Sequence, residues 1–171
     1  MGLNAEPKAG TIWRFWKGKL RPLFPGITIT NAICFSPDGG HACFADTDVG
    51  VIYRVRLDRE GWPLGEPEAF IDLRPEGLSP DGAVIDAEGF LWSAQWGAGR
   101  VARYGRDGQF DRAIGLPASQ ISCPAFGGRD LGTLFATSAR DGLSAPDEQD
   151  GCTFAVEAGV QGQVEHRVHL G

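Results

Sequence analysis

The stretch that decides the fold runs from Leu78 to Tyr104 and reads Leu-Ser-Pro-Asp-Gly-Ala-Val-Ile-Asp-Ala-Glu-Gly-Phe-Leu-Trp-Ser-Ala-Gln-Trp-Gly-Ala-Gly-Arg-Val-Ala-Arg-Tyr. It contains three strand candidates, Ala83–Ile85, Leu91–Trp96 and Arg100–Tyr104, separated by short turns of Asp, Glu, Ala and Gly. Such runs of β-branched and aromatic residues between tight turns are typical of an antiparallel meander. Asp81 lies just before the first strand. If that strand is the innermost of its sheet, the carboxylate lies at the rim of whatever the sheet surrounds.

Composition indicates one folded domain over residues 1–171. The chain has 42% hydrophobic and 22% charged residues, which is ordinary for a globular protein of this size. Its net charge of −6 argues against a nucleic-acid partner, because no basic surface is available to displace phosphate counterions. The sequence shows neither a run of about 20 apolar residues nor a signal-peptide pattern. We therefore expect a soluble chain with no membrane partner, cytoplasmic by default.

The rest of the chain repeats the same pattern of short strands and Gly-rich turns. The further strand candidates are Thr11–Trp16, Leu20–Phe24, Ala32–Phe35, His41–Ala45, Val51–Leu57, Glu68–Leu73, Phe110–Leu116, Pro124–Phe126, Thr133–Thr137, Thr153–Val156 and Val164–His169. Similar units begin at Asn31, Asp81 and, more weakly, Ser122, about 50 and about 41 residues apart. No segment has a helical period.

Four short strands in a unit of about 40–50 residues predict the blade of a β-propeller. A repeated sandwich hairpin also gives short strands but does not require this period. Three units and the two strands at the front amount to about three and a half blades. Because propellers close with about 4–8 blades, this count predicts an incomplete ring with exposed strand edges. Self-association through the open blade edges is one expected partner interaction.

The cysteines and histidines carry no recognisable metal motif. Cys34, Cys43, Cys123 and Cys152 form no Cys-x-x-Cys pair, and we expect buried, reduced thiols. His166 and His169 lie close together without a third ligand, so we expect a solvated pair. No Gly-x-Ser-x-Gly motif marks a nucleophilic serine.

Four motifs in order give the chain a family resemblance. They are Asn31-Ala-Ile-Cys-Phe-Ser-Pro-Asp-Gly with Phe44-Ala-Asp-Thr, the block from Pro80-Asp-Gly to Gly99-Arg-Val, Phe126-Gly-Gly, and Thr137-Ser-Ala-Arg-Asp-Gly. Together they resemble the senescence-marker-protein/gluconolactonase/regucalcin-like family of six-bladed propellers. The resemblance covers essentially the whole chain and implies an all-β fold of that type.

The resemblance also implies a metal site. In that family a Glu, an Asn and an Asp hold one divalent ion in the channel, and the last two match Asn31 and Asp81. An amide oxygen and a carboxylate are ligands suited to Ca²⁺, Mg²⁺, Mn²⁺ or Zn²⁺. The alternative for Asn31 is a residue that caps a strand, and for Asp81 an Asx-type turn before Gly82. Both residues precede predicted inner strands, so as ligands they would point into the same mouth of the channel.

The implied reaction is hydrolysis of a sugar-acid lactone, with Asp81 as the candidate general base. The family's first blades, which carry the metal-binding Glu, have no counterpart in the chain, so we expect it to be truncated at the N-terminus and lacking part of the site. Two other functions stay open. One is a non-catalytic metal-binding propeller of the regucalcin type, and the other is a protein-interaction module.

Overall fold

The computed structural model describes residues 1–168, and nearly all of their regular structure is β-strand. The strands are β1 (Gly10–Trp16), β2 (Lys19–Ile27), β3 (Thr30–Phe35), β4 (His41–Asp46), β5 (Val51–Arg56), β6 (Glu68–Asp72), β7 (Ser79–Ile85), β8 (Leu91–Trp96), β9 (Arg100–Tyr104), β10 (Phe110–Gly115), β11 (Ile121–Gly127), β12 (Thr133–Ser138) and β13 (Thr153–Glu157). A single turn of 3-10 helix, Arg74–Glu76, joins β6 to β7.

The strands form four antiparallel sheets that follow one another along the chain. Hairpin β1-β2 comes first, followed by the first blade β3-β4-β5-β6, the second blade β7-β8-β9-β10 and the three-stranded third blade β11-β12-β13. The first strands of the three blades, β3, β7 and β11, contact one another in turn. They are therefore the inner strands, and the predicted all-β architecture of antiparallel, propeller-type sheets is confirmed. The number of blades in a closed ring stays a prediction.

The hydrophobic core consists of three layers, each lying between neighbouring sheets. Hairpin β1-β2 packs on the first blade through Ile12, Ile27 and Phe44. Between the first and second blades lie residues such as Ile52 and Leu91, both nearly inaccessible to solvent. The layer between the second and third blades contains the buried residues Trp92, Val101, Ile121 and Leu134. Each sheet is thus held chiefly by its neighbours.

The inner strands begin earlier than the sequence pattern predicts. The prediction starts them at Ala32, Ala83 and Pro124, whereas the structure starts them at Thr30, Ser79 and Ile121. The reason is a register shift in each strand, a β-bulge that interrupts the alternation of buried and exposed residues. Pairing resumes on the N-terminal side of the bulge, where it cannot be recognised from period alone.

The predicted fourth strand of the third blade, Val164–His169, is wrong for the residues described. Residues 164–168 form no strand, and His169 lies outside the described residues. The chain instead crosses the ends of the inner strands: Gly162 bridges to Asp86, and Gln163 Nε2 donates to the carbonyl of Phe35 at 2.7 Å. The ring nitrogen Nε2 of His166 lies 3.0 Å from the carbonyl oxygen of Ser36. This C-terminal tail, residues 158–168, therefore links the third blade to the first two.

The four cysteines are free, as predicted, but only two of them are buried. Cys34 and Cys43 are opposite each other on β3 and β4 and face the core. Cys123 and Cys152 are exposed, which corrects the expectation of burial. Cys123 lies on β11, and Cys152 lies in the loop before β13.

No helix within residues 1–168 has the length and apolar character needed to cross a membrane.

Candidate metal centre

The two residues predicted to hold a metal ion lie at bulges of neighbouring inner strands. Asn31 is the second residue of β3, where the register with β4 shifts between Asn31 and Cys34. Asp81 lies inside β7, where the register with β8 shifts between Pro80 and Ala83. The sequence-based placement of both residues just before their strands is therefore wrong. Because a bulge leaves residues unpaired and bends the strand, it can direct polar side chains out of the ladder.

The side chains of Asn31 and Asp81 are in direct contact although 50 residues separate them in the chain. Asn31 Nδ2 donates a hydrogen bond to Asp81 Oδ1. Both residues are partly buried. The structure thus brings the two predicted residues together at one end of the inner strands, with the NH₂ group of the amide toward the carboxylate. Their roles as ligands remain a prediction.

A third polar side chain, Thr47, completes this cluster; it ends the Phe44-Ala-Asp-Thr motif, but the sequence did not predict a role for it in the site. Thr47 follows β4 directly, and its hydroxyl oxygen lies 3.3 Å from Asn31 Nδ2. The same hydroxyl donates to the carbonyl of Pro80, the residue before Asp81, at 2.6 Å. The signal available in the sequence was a hydroxyl residue directly after β4, the strand that pairs with β3 at Asn31. Its link to β7 is a tertiary contact that no local pattern shows.

Asp81 is a partly buried carboxylate without a cationic partner among residues 1–168. It takes part in none of the ion pairs found there. Partial burial raises its pKa above the ordinary aspartate value, and hydrogen bonds from Asn31 and from the backbone N–H of Gly82 lower it in part. Neutral donors therefore surround a charge that burial disfavours.

This donor set fits a hard divalent cation. A carboxylate and an amide oxygen are ligands that Ca²⁺ and Mg²⁺ accept, with water completing the coordination. Within residues 1–168 no three His, Cys, Asp or Glu side chains come together in a metal-binding group. The Asn31–Asp81 pair alone therefore supplies two protein ligands, fewer than a dedicated site usually provides.

Other acidic residues nearby are already engaged in holding the backbone. The buried carboxylate of Asp46 accepts the N–H groups of Thr28 and Ile29 at 2.9 and 3.0 Å. At the far end of β7, the fully buried Asp86 accepts Trp92 Nε1 at 2.9 Å and pairs with Arg103 at 2.7 Å. These carboxylates stabilise turns and are not available to a ligand.

A cavity of about 290 Å³ between the first two blades lies away from this cluster. Its lining includes His41, Arg54 and Arg106 near the far ends of the inner strands, and neither Asn31 nor Asp81. Arg54 is already bound to Glu68 at 2.7 Å and to the carbonyl of Arg106 at 2.8 Å. The unpaired carboxylate of Asp81 is the stronger indicator of chemistry, so we place the candidate site at the Asn31 end.

Residues 1–140 match the SMP-30/gluconolactonase/LRE-like region, and the chain therefore belongs to this family. The resemblance inferred from the four sequence motifs is confirmed. Membership places the inner-strand cluster in a fold whose named members include lactonases and regucalcins.

Among its relatives, a 6-deoxy-6-sulfogluconolactonase of Pseudomonas putida is 41% identical over 81% of this chain. An L-arabinolactonase of Azospirillum brasilense is 38% identical over 86% of the chain. The chain spans 49% of the length of each of these two proteins.

The chain is also similar to the crystal structure of a calcium-binding protein, regucalcin, from Agrobacterium tumefaciens. The two are 44% identical, with a TM-score of 0.89 over 96% of this chain and 58% of that chain. The similarity includes the sheets that carry Asn31 and Asp81, since it extends over nearly all of the residues.

Proposed function

We propose that this chain carries part of the active site of a metal-dependent sugar-lactone hydrolase, in which Asn31 and Asp81 hold one divalent ion. The observation that carries the proposal is the contact between the Asn31 amide and the Asp81 carboxylate at neighbouring inner-strand bulges. Family membership and the lactonase names of two relatives give the reaction class. The name of the regucalcin neighbour supports a divalent cation.

Asp81 is suited to act as the base in this reaction. Hydrolysis of a lactone adds water to the ring-ester carbonyl and breaks the ring C–O bond, which yields a hydroxy acid. The carboxylate of Asp81 accepts a proton from the attacking water, as a general base placed at the site does. A bound divalent ion supplies polarisation of the carbonyl oxygen and stabilises the negative charge that develops there. Asn31 orients the carboxylate through its amide N–H.

A proton-release assay with glucono-δ-lactone tests the proposal. The full chain is measured with added Mn²⁺, Ca²⁺ or Zn²⁺ and with excess chelator, each against the rate without protein. We expect metal-dependent turnover, reduced by roughly 10²–10⁴-fold in Asp81→Asn, because this change removes the base and a ligand while keeping the shape. The matched control is Asp107→Asn, which removes an exposed carboxylate from the β9–β10 turn.

Metal affinity, measured separately by calorimetry, distinguishes the alternatives. Binding that depends on Asp81 without any turnover above the uncatalysed rate would refute hydrolysis by this chain and favour a metal-binding role. If neither binding nor turnover depends on Asp81, the proposed site is wrong.

A further inference from the structure

We propose that Thr47 is a positioning residue that sets the orientation of the Asn31 amide and joins it to the strand segment carrying Asp81. The proposal deepens the one above and rests on it for the metal ion. Thr47 contacts both bulges: its hydroxyl meets the Asn31 side chain in the first blade and the Pro80 carbonyl in the second.

The orientation follows from counting hydrogens. A threonine hydroxyl has one hydrogen, and Thr47 donates it to the carbonyl of Pro80, which can only accept. Towards Asn31 the hydroxyl oxygen must therefore act as an acceptor. The end of the amide that faces Thr47 is then the NH₂ group, whose nitrogen lies 3.3 Å away.

This hydrogen bond and the one to Asp81 hold the same NH₂ group, which leaves the amide oxygen of Asn31 as the atom for a cation. With Nδ2 held by Thr47, the amide oxygen Oδ1 points away from it and lies 3.3 Å from the backbone nitrogen of Ala32. Carbonyl oxygen, and not the NH₂ group, is the ligand that a divalent ion requires. Asp81 Oδ1 accepts from the same nitrogen, so removing the hydroxyl at position 47 leaves one of the two contacts that distinguish the ends of the amide.

The bond to Pro80 fixes the second half of the site. Pro80 is fully buried and directly precedes Asp81 at the point where the β7 register shifts. Thr47 therefore ties the backbone next to the carboxylate to the same hydroxyl that orients the amide. Interactions of this kind around metal ligands typically change affinity 10–100-fold when they are removed.

Three variants test the inference. Thr47→Val keeps the size and removes the hydroxyl, whereas Thr47→Ser keeps the hydroxyl. The matched control is Thr137→Val in the third blade, where Thr137 Oγ1 lies 2.8 Å from the hydroxyl of Ser122 in a comparable pair that makes no hydrogen bond to Asn31 or Asp81.

Mn²⁺ affinity of the full chain is measured by calorimetry. We expect Thr47→Val to weaken binding about 10–100-fold, Thr47→Ser to restore most of it, and Thr137→Val to match the unmodified chain. Equal affinity in Thr47→Val and the unmodified chain would overturn the inference, as would an equal loss in Thr137→Val.

A second measurement needs no metal. The chain has two asparagines, Asn4 and Asn31, so their side-chain NH₂ signals are readily assigned by NMR. We expect slower hydrogen exchange at Asn31 than at the exposed Asn4, a smaller difference in Thr47→Val, where the bond to Asp81 remains, and an unchanged difference in Thr137→Val.

The two measurements separate the possible failures. If the unmodified chain takes up no Mn²⁺, the metal site proposed above fails, and NMR alone decides the role of Thr47. If Thr47→Val does not fold, exchange in the unmodified chain and in Thr47→Ser decides. Exchange at Asn31 as fast as at Asn4 then overturns the inference.

Discussion

Replacing Gly82 by alanine tests how closely the inner strands β7 and β11 pack beside Asp81. A Cβ atom at Gly82 would lie 2.8 Å from the Ser122 carbonyl oxygen, 2.8 Å from Cys123 Sγ and 2.9 Å from Cys123 Cα. Ordinary contacts between such atoms are about 3.5–4.0 Å. Two of the three atoms belong to the backbone of β11 and cannot rotate away, so β7 and β11 must move apart.

The size of the effect follows from this overlap. Inserting a methyl group into a well-packed region typically destabilises by about 1–3 kcal/mol. For a domain of this length, each kcal/mol lowers the midpoint of thermal unfolding by roughly 2–4 °C. We therefore expect Gly82→Ala to lower the midpoint by roughly 2–12 °C.

Gly115→Ala is the matched control. Gly115 is also a strand residue, at the end of β10, but an added Cβ meets nothing within 4 Å there. Its substitution should be neutral or stabilise by up to about 1 kcal/mol, because alanine restricts the unfolded chain. Urea and thermal unfolding, followed by tryptophan fluorescence and circular dichroism, measure both variants. If Gly82→Ala changes the midpoints no more than Gly115→Ala, the close approach of β7 and β11 is refuted.

Two further predictions concern charged groups. Arg103→Met should lower the free energy of unfolding by about 3–5 kcal/mol in urea titrations, because it leaves the fully buried carboxylate of Asp86 without its cation. Arg54→Met, at a more exposed ion pair, should change it by at most about 1 kcal/mol, and equal losses would contradict this reasoning. Hydrogen bonds from Arg74 lower the pKa of Asp72 to about 2, so this interaction is present above the ordinary aspartate pKa and is lost as the pH falls through about 2. NMR titration should show that midpoint, and Arg74→Met should raise it; an unchanged midpoint in the variant would exclude Arg74 as the cause.

Much of the fold could be predicted because its signals are local. Strands β8 and β9 have their predicted bounds, since Gly-rich turns limit them on both sides and regular pairing preserves their period. The convergence of Asn31 and Asp81 was predictable from the repeat, because equivalent positions of successive units lie at the same end of neighbouring sheets.

The remaining features depend on contacts that local sequence does not encode. The bulge in β3 places Ala32 at a φ of 57°, a left-handed conformation for which alanine gives no signal. Residues 164–168 belong to a predicted strand, yet they form none, because the chain there contacts the first blade instead of pairing with β13. The role of Thr47 could not be predicted, since its partners lie on β3 and β7 and not beside it in the sequence.

The course of the C-terminal tail affects how the protein can be attached to a surface. Gln163 and His166 hold the tail at the ends of the inner strands opposite Asn31. An affinity handle joined to the tail would therefore anchor the molecule by the end remote from the candidate site. On a bead or sensor chip, the Asn31 end would face the flowing liquid and stay accessible to injected ions and sugars.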